Sequence, residues 1–137
     1  MSIDGVKSGE IDSGLLIYLG VCAGDDESDM HYLAEKAANL RIFPDDSGRM
    51  NCSAIELQEK MLVVSQFTLC ADVRKGRRPS YVHAAEPDDA VRLYESFIAH
   101  LRNMNLVVEH GVFGAMMNVS YTNYGPVTIL LDSKKVF

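Results

Sequence analysis

The chain has 137 residues, 47% of them hydrophobic, a formal net charge of −6 and a pI near 5.1. These values predict one globular domain, 1–137, able to bury about two thirds of its unfolded surface. The acidic balance argues against a general nucleic-acid binder, and no apolar run approaches the roughly 20 residues that span a bilayer. The N-terminus lacks a charged-then-apolar signal pattern, so the expectation is a chain soluble inside the cell. Cys22, Cys52 and Cys70 are odd in number and widely spaced, with no Cys-x-x-Cys pair. They read as reduced thiols rather than a disulfide frame or zinc site, with Cys70 a small buried hydrophobe rather than a nucleophile.

Residues 1–13 are polar and turn-rich and predict a short hairpin leading into Leu15–Cys22, whose apolar run reads as a buried strand. Asp25-Asp26-Glu27-Ser28 offers caps and acidic charge for a helix start. Met30, Leu33, Ala34, Ala37 and Leu40 then recur at helical spacing, so 28–40 is an amphipathic helix, with His31 off the stripe in solvent. Arg41-Ile42-Phe43 reads as a short strand, Pro44–Gly48 as a turn cluster and Met50–Ser53 as a segment pairing back. Ala54–Lys60 is ambiguous. Leu62-Val63-Val64 is a buried β-branched run.

That run ends in Ser65-Gln66-Phe67-Thr68, two hydroxyls and an amide where a core strand should stay apolar. Buried polar groups without partners cost roughly 1–3 kcal/mol each, so such a strand end either satisfies nearby backbone or serves a site. Residues 71–81 form a loop in which Arg74, Lys75, Arg77 and Arg78 gather four of the 13 basic residues. A solvated loop and a local phosphate-reading patch both fit. His83 follows with no carboxylate at recognisable spacing. Glu86-Pro87-Asp88-Asp89 opens the longest helix, about 87–104, with Ala90, Val91, Tyr94, Phe97, Ile98 and Leu101 as its buried stripe. Leu106–Glu109 begins the next strand, and Gly111 and Gly114 bracket Val112-Phe113 in a turn or bulge. Residues 116–122 alternate with period two, the pattern of a half-buried strand, and Ile129–Leu131 forms the last strand. Between them Asn123, Gly125 and Pro126 make a corner, which spacing alone reads as a trans-proline turn. Strands in runs with two main helices favour α+β over alternating βαβ units.

Ser65-Gln66-Phe67-Thr68 followed by Asn123-Tyr124-Gly125-Pro126-Val127-Thr128 resembles the signature pair of the D-aminoacyl-tRNA (D-tyrosyl-tRNA) deacylases. Gly9-Glu10-Ile11, Gly14-Leu15-Leu16, Leu40–Phe43, Gly48–Asn51, Lys75–Ser80 and Phe113-Gly114-Ala115 match the same family in the same order. The resemblance implies a single-domain α+β fold with a curled, barrel-like antiparallel or mixed sheet, working as a cytoplasmic homodimer. An additional first strand of the family would precede Met1 and is expected to be missing. Tyr124 and Met116 stand where the family commonly has acidic residues.

The activity implied is chiral proofreading: hydrolysis of the ester of D-aminoacyl-tRNA, and of glycine mischarged on non-cognate tRNA, with no cofactor and no metal. Phe67 and Thr68 would present backbone amides as an oxyanion pocket, Gln66 a polar side chain, and Ser65 support for the turn. Thr68 would position water, helped by the terminal ribose hydroxyl, or act as nucleophile without an evident base. Gly125-Pro126, in cis, would reach into the partner subunit's pocket with Asn123 and Met117 and reject L side chains by clash. Arg74, Lys75, Arg77 and Arg78 would bind tRNA. Two other readings are open to the residues themselves: a non-catalytic nucleic-acid-binding module using the basic loop, opposed by the acidity, and a structural dimerisation domain, which leaves the polar strand end unexplained. Neither membrane nor DNA is an expected partner.

Overall fold

A computed structural model describes residues 1–137. Its centre is a three-stranded parallel sheet of β3 (Gly14–Leu19), β6 (Lys60–Ser65) and β7 (Val108–His110), in the order β3-β6-β7. The apolar run 61–64 earns the middle place: Met61, Leu62, Val63 and Val64 are all buried. Alternation divides them between the two faces. Met61 and Val63 join the main core with Leu19, Leu93, Tyr94, Phe97, Leu101 and Val108. Leu62 and Val64 lie on the other face, in register with Leu16 and Tyr18. Apart from Leu19, β3 is half-buried or exposed rather than fully buried, because only one of its edges and one of its faces is closed.

The first crossover contains α1 (Glu27–Asn39), a short antiparallel pair β4 (Phe43–Pro44) and β5 (Met50–Cys52), and one helical turn, α2 (Ala54–Leu57). The ambiguous stretch after Ser53 is thus a turn of helix, capped by the Ser53 hydroxyl, which accepts from Glu56 N–H at 3.1 Å. At the start of α1 the Asp26 carboxylate accepts from Ser28 and Asp29 N–H, and the Asp29 carboxylate accepts from Asp26 N–H. This capping box satisfies donors that a helix leaves orphaned. Lys134 Nζ meets Asp29 at 2.8 Å, ties the C-terminal segment to that cap and holds the Asp29 carboxyl down to about 2. The second crossover holds α3 (Pro87–Asn103), whose buried stripe uses Leu93 where Val91 was expected; Val91 is half-buried. Tyr94 on this stripe donates its hydroxyl to Val63 C=O at 3.0 Å, and burial pushes its phenol up to about 12.

The predicted hairpin is present as β1 (Ser2–Ile3) and β2 (Val6–Lys7). Three sequence expectations are corrected. The sheet does not close into a barrel: its pieces are the parallel sheet and two small antiparallel hairpins. The strands expected over 116–122 and 129–131 do not form; the segment makes one bridge, Asn118 to Ser2, and leaves Met116, Tyr124 and Leu130 largely in solvent. Period-two alternation survives in its exposure, but a strand also needs a neighbouring edge to bond, and only Ser2 supplies one. Cys22 and Cys70, expected as reduced thiols, form a disulfide with a Cα–Cα distance of 5.8 Å, leaving Cys52 free. Sequence separation hid this pair; the register Leu19↔Ser65 places both cysteines just past the same end of the sheet. No helix is long and apolar enough to cross a membrane.

Candidate active site

The polar strand end becomes the last residue of β6 followed by a 3-10 turn, Phe67–Cys70. Gln66 N–H is still held by Leu19 C=O at 2.8 Å, the last rung between β6 and β3. Beyond it the chain coils: Leu69 N–H donates to Gln66 C=O and Ala71 N–H to Thr68 C=O. The first N–H groups of a helical turn have no partner behind them, and here those of Phe67 and Thr68 donate to nothing within the chain. Gln66 Nε2 donates to the Thr68 hydroxyl and orients it. Ser65, Gln66 and Thr68 are half-buried, and Phe67 is exposed, edge-on to Tyr81 with centroids 5.1 Å apart.

Gly20 lies beneath this turn. A Cβ there would sit 3.0 Å from Gln66 O and 2.9 Å from Leu69 Cβ, so the close approach needs glycine. Sequence reading passed over Gly20, whose signal was a glycine directly after an apolar strand run.

The basic loop is closed at its base by paired bonds between Asp72 and Ser80. Asp72 also takes Arg74 in a two-pronged contact of 2.9 and 2.6 Å, and this guanidinium holds the Asp72 carboxyl well below the usual range. Asp72 is the carboxylate partner that the sequence did not offer His83, at 3.9 Å. Lys75, Arg77 and Arg78 make no ion pair and are exposed. Of the four basic residues, three are open to an anion.

At the other motif the Gly125–Pro126 bond is cis. Asn123 braces the turn across it: its Oδ1 accepts from Val127 N–H at 3.2 Å and its Nδ2 donates to Thr128 Oγ1 at 2.9 Å. Tyr124, Gly125 and Pro126 are exposed, and Met117 is half-buried, its sulfur packed against Gly111. No hydrogen bond joins this turn to Ser65–Thr68 within the chain. A groove of about 620 Å³ between α3 and Gly111–Phe113 is lined by none of the residues expected to act in catalysis, in the chiral filter or in tRNA binding. No group of three or more His, Cys, Asp or Glu side chains is placed so that it could hold a metal ion.

The fold and these turns define an α+β protein with an open turn of backbone donors at the end of its central strand, a basic loop beside it and a braced Gly-Pro turn. Residues 1–132 match the family described as D-Tyr-tRNA(Tyr) deacylase. Curated relatives include the D-aminoacyl-tRNA deacylase of Thermosipho africanus, 55% identical over 100% of this chain and 92% of that protein. The D-aminoacyl-tRNA deacylase of Halothermothrix orenii is 52% identical with the same coverage. Among solved structures, one titled c-Myc DNA Unwinding Element Binding Protein superposes with a TM-score of 0.87 at 36% identity, covering 93% of this chain and 87% of that one. The chain belongs to the D-Tyr-tRNA(Tyr) deacylase family.

Proposed function

We propose that this chain hydrolyses the ester of D-aminoacyl-tRNA, and of glycyl-tRNA, at the turn Ser65–Thr68, releasing free amino acid and tRNA as a chiral proofreading step of translation in the cytoplasm. The observation that carries this reading is the pair of unused N–H groups on Phe67 and Thr68. An ester carbonyl gains negative charge as water adds, and a fixed donor placed at that oxygen contributes about 3–4 kcal/mol. An aminoacyl ester is already reactive, so two such donors and a positioned water suffice. Thr68, held by Gln66, orients that water with the terminal ribose hydroxyl rather than attacking itself, since no base stands beside its hydroxyl.

The Gly125-Pro126 turn is the filter. Braced by Asn123 and exposed, it is free to enter the pocket of a partner subunit in a homodimer with motif exchange, where backbone carbonyls meet the substrate's amino group and leave no room for an L side chain. Met117 borders that pocket. That no hydrogen bond joins the Gly125-Pro126 turn to Ser65–Thr68 within one chain supports this arrangement across subunits.

Thr68→Val separates the two roles of Thr68, because it keeps the backbone amide and the branched shape. Single-turnover release from D-Tyr-tRNA is expected to fall roughly tenfold, the cost of one orienting hydrogen bond. A fall on the order of 10⁴ or more would instead make Thr68 the nucleophile, and no release by the unaltered protein would remove the hydrolytic reading itself.

Lys75, Arg77 and Arg78 hold the tRNA phosphates, with Arg74 anchoring the loop through Asp72. Replacing Arg77 and Arg78 by alanine is expected to raise KM for D-Tyr-tRNA with kcat unchanged. Each phosphate that is no longer neutralised should also reduce the slope of log K against log salt by roughly 0.7–0.9. An unchanged slope in filter-binding titrations would remove these side chains from the interface.

A further inference from the structure

The Cys22–Cys70 bond stands at a place where it touches the candidate chemistry. Cys70 is the last residue of the 3-10 turn that carries Phe67 and Thr68, and it is buried. Cys22 lies on the strand exit next to it and is half-buried, within reach of a small reagent. Cys22 is also the point where the β3 exit joins the end of the basic loop, through its bridge to Ala84 and the bond from Ala23 N–H to His83 C=O at 2.7 Å. One bond of sequence separation 48 therefore fastens the donor turn, the end of β3 and the far side of the tRNA-facing loop to one another. Apart from it, the turn is anchored to β3 by the single bond from Gln66 N–H to Leu19 C=O and by its seat on Gly20.

We propose that Cys22 and Cys70 are a reversible redox site that sets the alignment of the donor turn, the disulfide form being the faster hydrolase. This rests on the reading of Ser65–Thr68 as the site of ester hydrolysis. In compartments that keep thiols reduced, where charged tRNA is used, a protein disulfide is characteristically transient and redox-sensing rather than structural. The exchange balances with a low-molecular-weight disulfide as oxidant. One cysteine thiolate attacks it, releasing one small thiolate and forming a mixed disulfide; the second cysteine attacks that bond, releasing the other. Two protein thiols lose two protons and two electrons, and one small disulfide becomes two small thiols. A dithiol reverses the reaction.

Reduction frees Cys70 from Cys22 and leaves the far end of the turn tied only to the basic loop through the Asp72–Ser80 bonds, no longer to the end of β3, while the sheet and the core are untouched. The donors of Phe67 and Thr68 then spend less time aligned on a common point, and small misplacements of such groups are costly in rate. The two chain positions involved are not themselves part of the catalytic machinery, so their substitution isolates the clamp.

The test compares the full-length protein equilibrated with glutathione disulfide and with dithiothreitol. The thiol count is expected to change from one, Cys52, to three. Amide hydrogen exchange at Leu69, Cys70 and Ala71 is expected to be faster in the reduced protein while β6 exchanges unchanged. Single-turnover release from D-Tyr-tRNA is expected to be on the order of tenfold faster for the oxidised form. Cys22→Ser and Cys70→Ala should each behave as the reduced protein under both conditions, and two variants guard against either misfolding. A thiol count of three in both buffers, or equal exchange and equal rates in the two forms, would overturn the proposal. Absence of hydrolysis in both forms would remove the function assigned to the turn and the rate claim with it, while the thiol count and the exchange pattern would still report the clamp.

Discussion

Gly20→Ala is expected to slow release of D-amino acid from tRNA by on the order of 10² to 10³-fold, the effect of losing one oxyanion donor, while the chain stays folded. The new methyl would lie 3.0 Å from Gln66 O and 2.9 Å from Leu69 Cβ, closer than almost all real approaches of this kind. The backbone oxygen belongs to the residue that opens the 3-10 turn, and it cannot give way without taking Phe67 and Thr68 with it. Leu69 Cβ is fixed to the backbone of the same turn and also moves only with it, so the strain is absorbed at the site rather than in the core. Far-UV circular dichroism and the urea midpoint should stay near those of the unaltered protein, with the loss confined to kcat. An unaltered rate would mean that the alignment of the turn does not govern the chemistry.

Gly14→Ala has the opposite signature. Gly14 opens β3 at φ +141°, in a region that side chains avoid, and its Cβ would overlap the carbonyl oxygen of Lys60 on the paired strand. Nothing flexible is available to move, since the clashing atom is sheet backbone. The expected cost is about 4 kcal/mol or more, in the range reserved for core disruption and strained backbone. Urea denaturation should show the midpoint falling sharply with the slope unchanged. A midpoint within experimental scatter of the parent would show that β3 and β6 can separate at this end without loss of the core.

These glycines also mark what could be read from the residues and what could not. Local signals were strong: Asp26 caps a helix as a polar residue before an apolar stripe should, the proline-opened helix runs to Asn103, and the run 61–64 fills the core. The polar strand end at Ser65–Thr68 was visible for the same reason, being the place where a buried pattern breaks. What depended on distant partners was hidden. The alternation over 116–122 describes how a strand would face a sheet and says nothing of whether an edge awaits it. Cys22 and Cys70 look unrelated along the chain because their meeting is produced by the parallel register of β3 and β6. Gly20 and Asp72 gain their roles only from what folds on top of them, the donor turn in one case and Arg74 and His83 in the other. The membership of the family was carried by ordered motifs along nearly the whole chain, whereas the barrel expected from that membership is not what this chain builds.

The central claim is that the turn Ser65–Thr68, guarded by Gly125-Pro126, hydrolyses D-aminoacyl esters of tRNA and refuses their L counterparts. The most direct measurement is release of tyrosine from D-Tyr-tRNA and from L-Tyr-tRNA, in parallel, at equal concentrations of folded protein. The account predicts rapid release from the D ester and release from the L ester no faster than spontaneous hydrolysis. Equal release from both would contradict the filter, and release from neither would contradict the hydrolytic site.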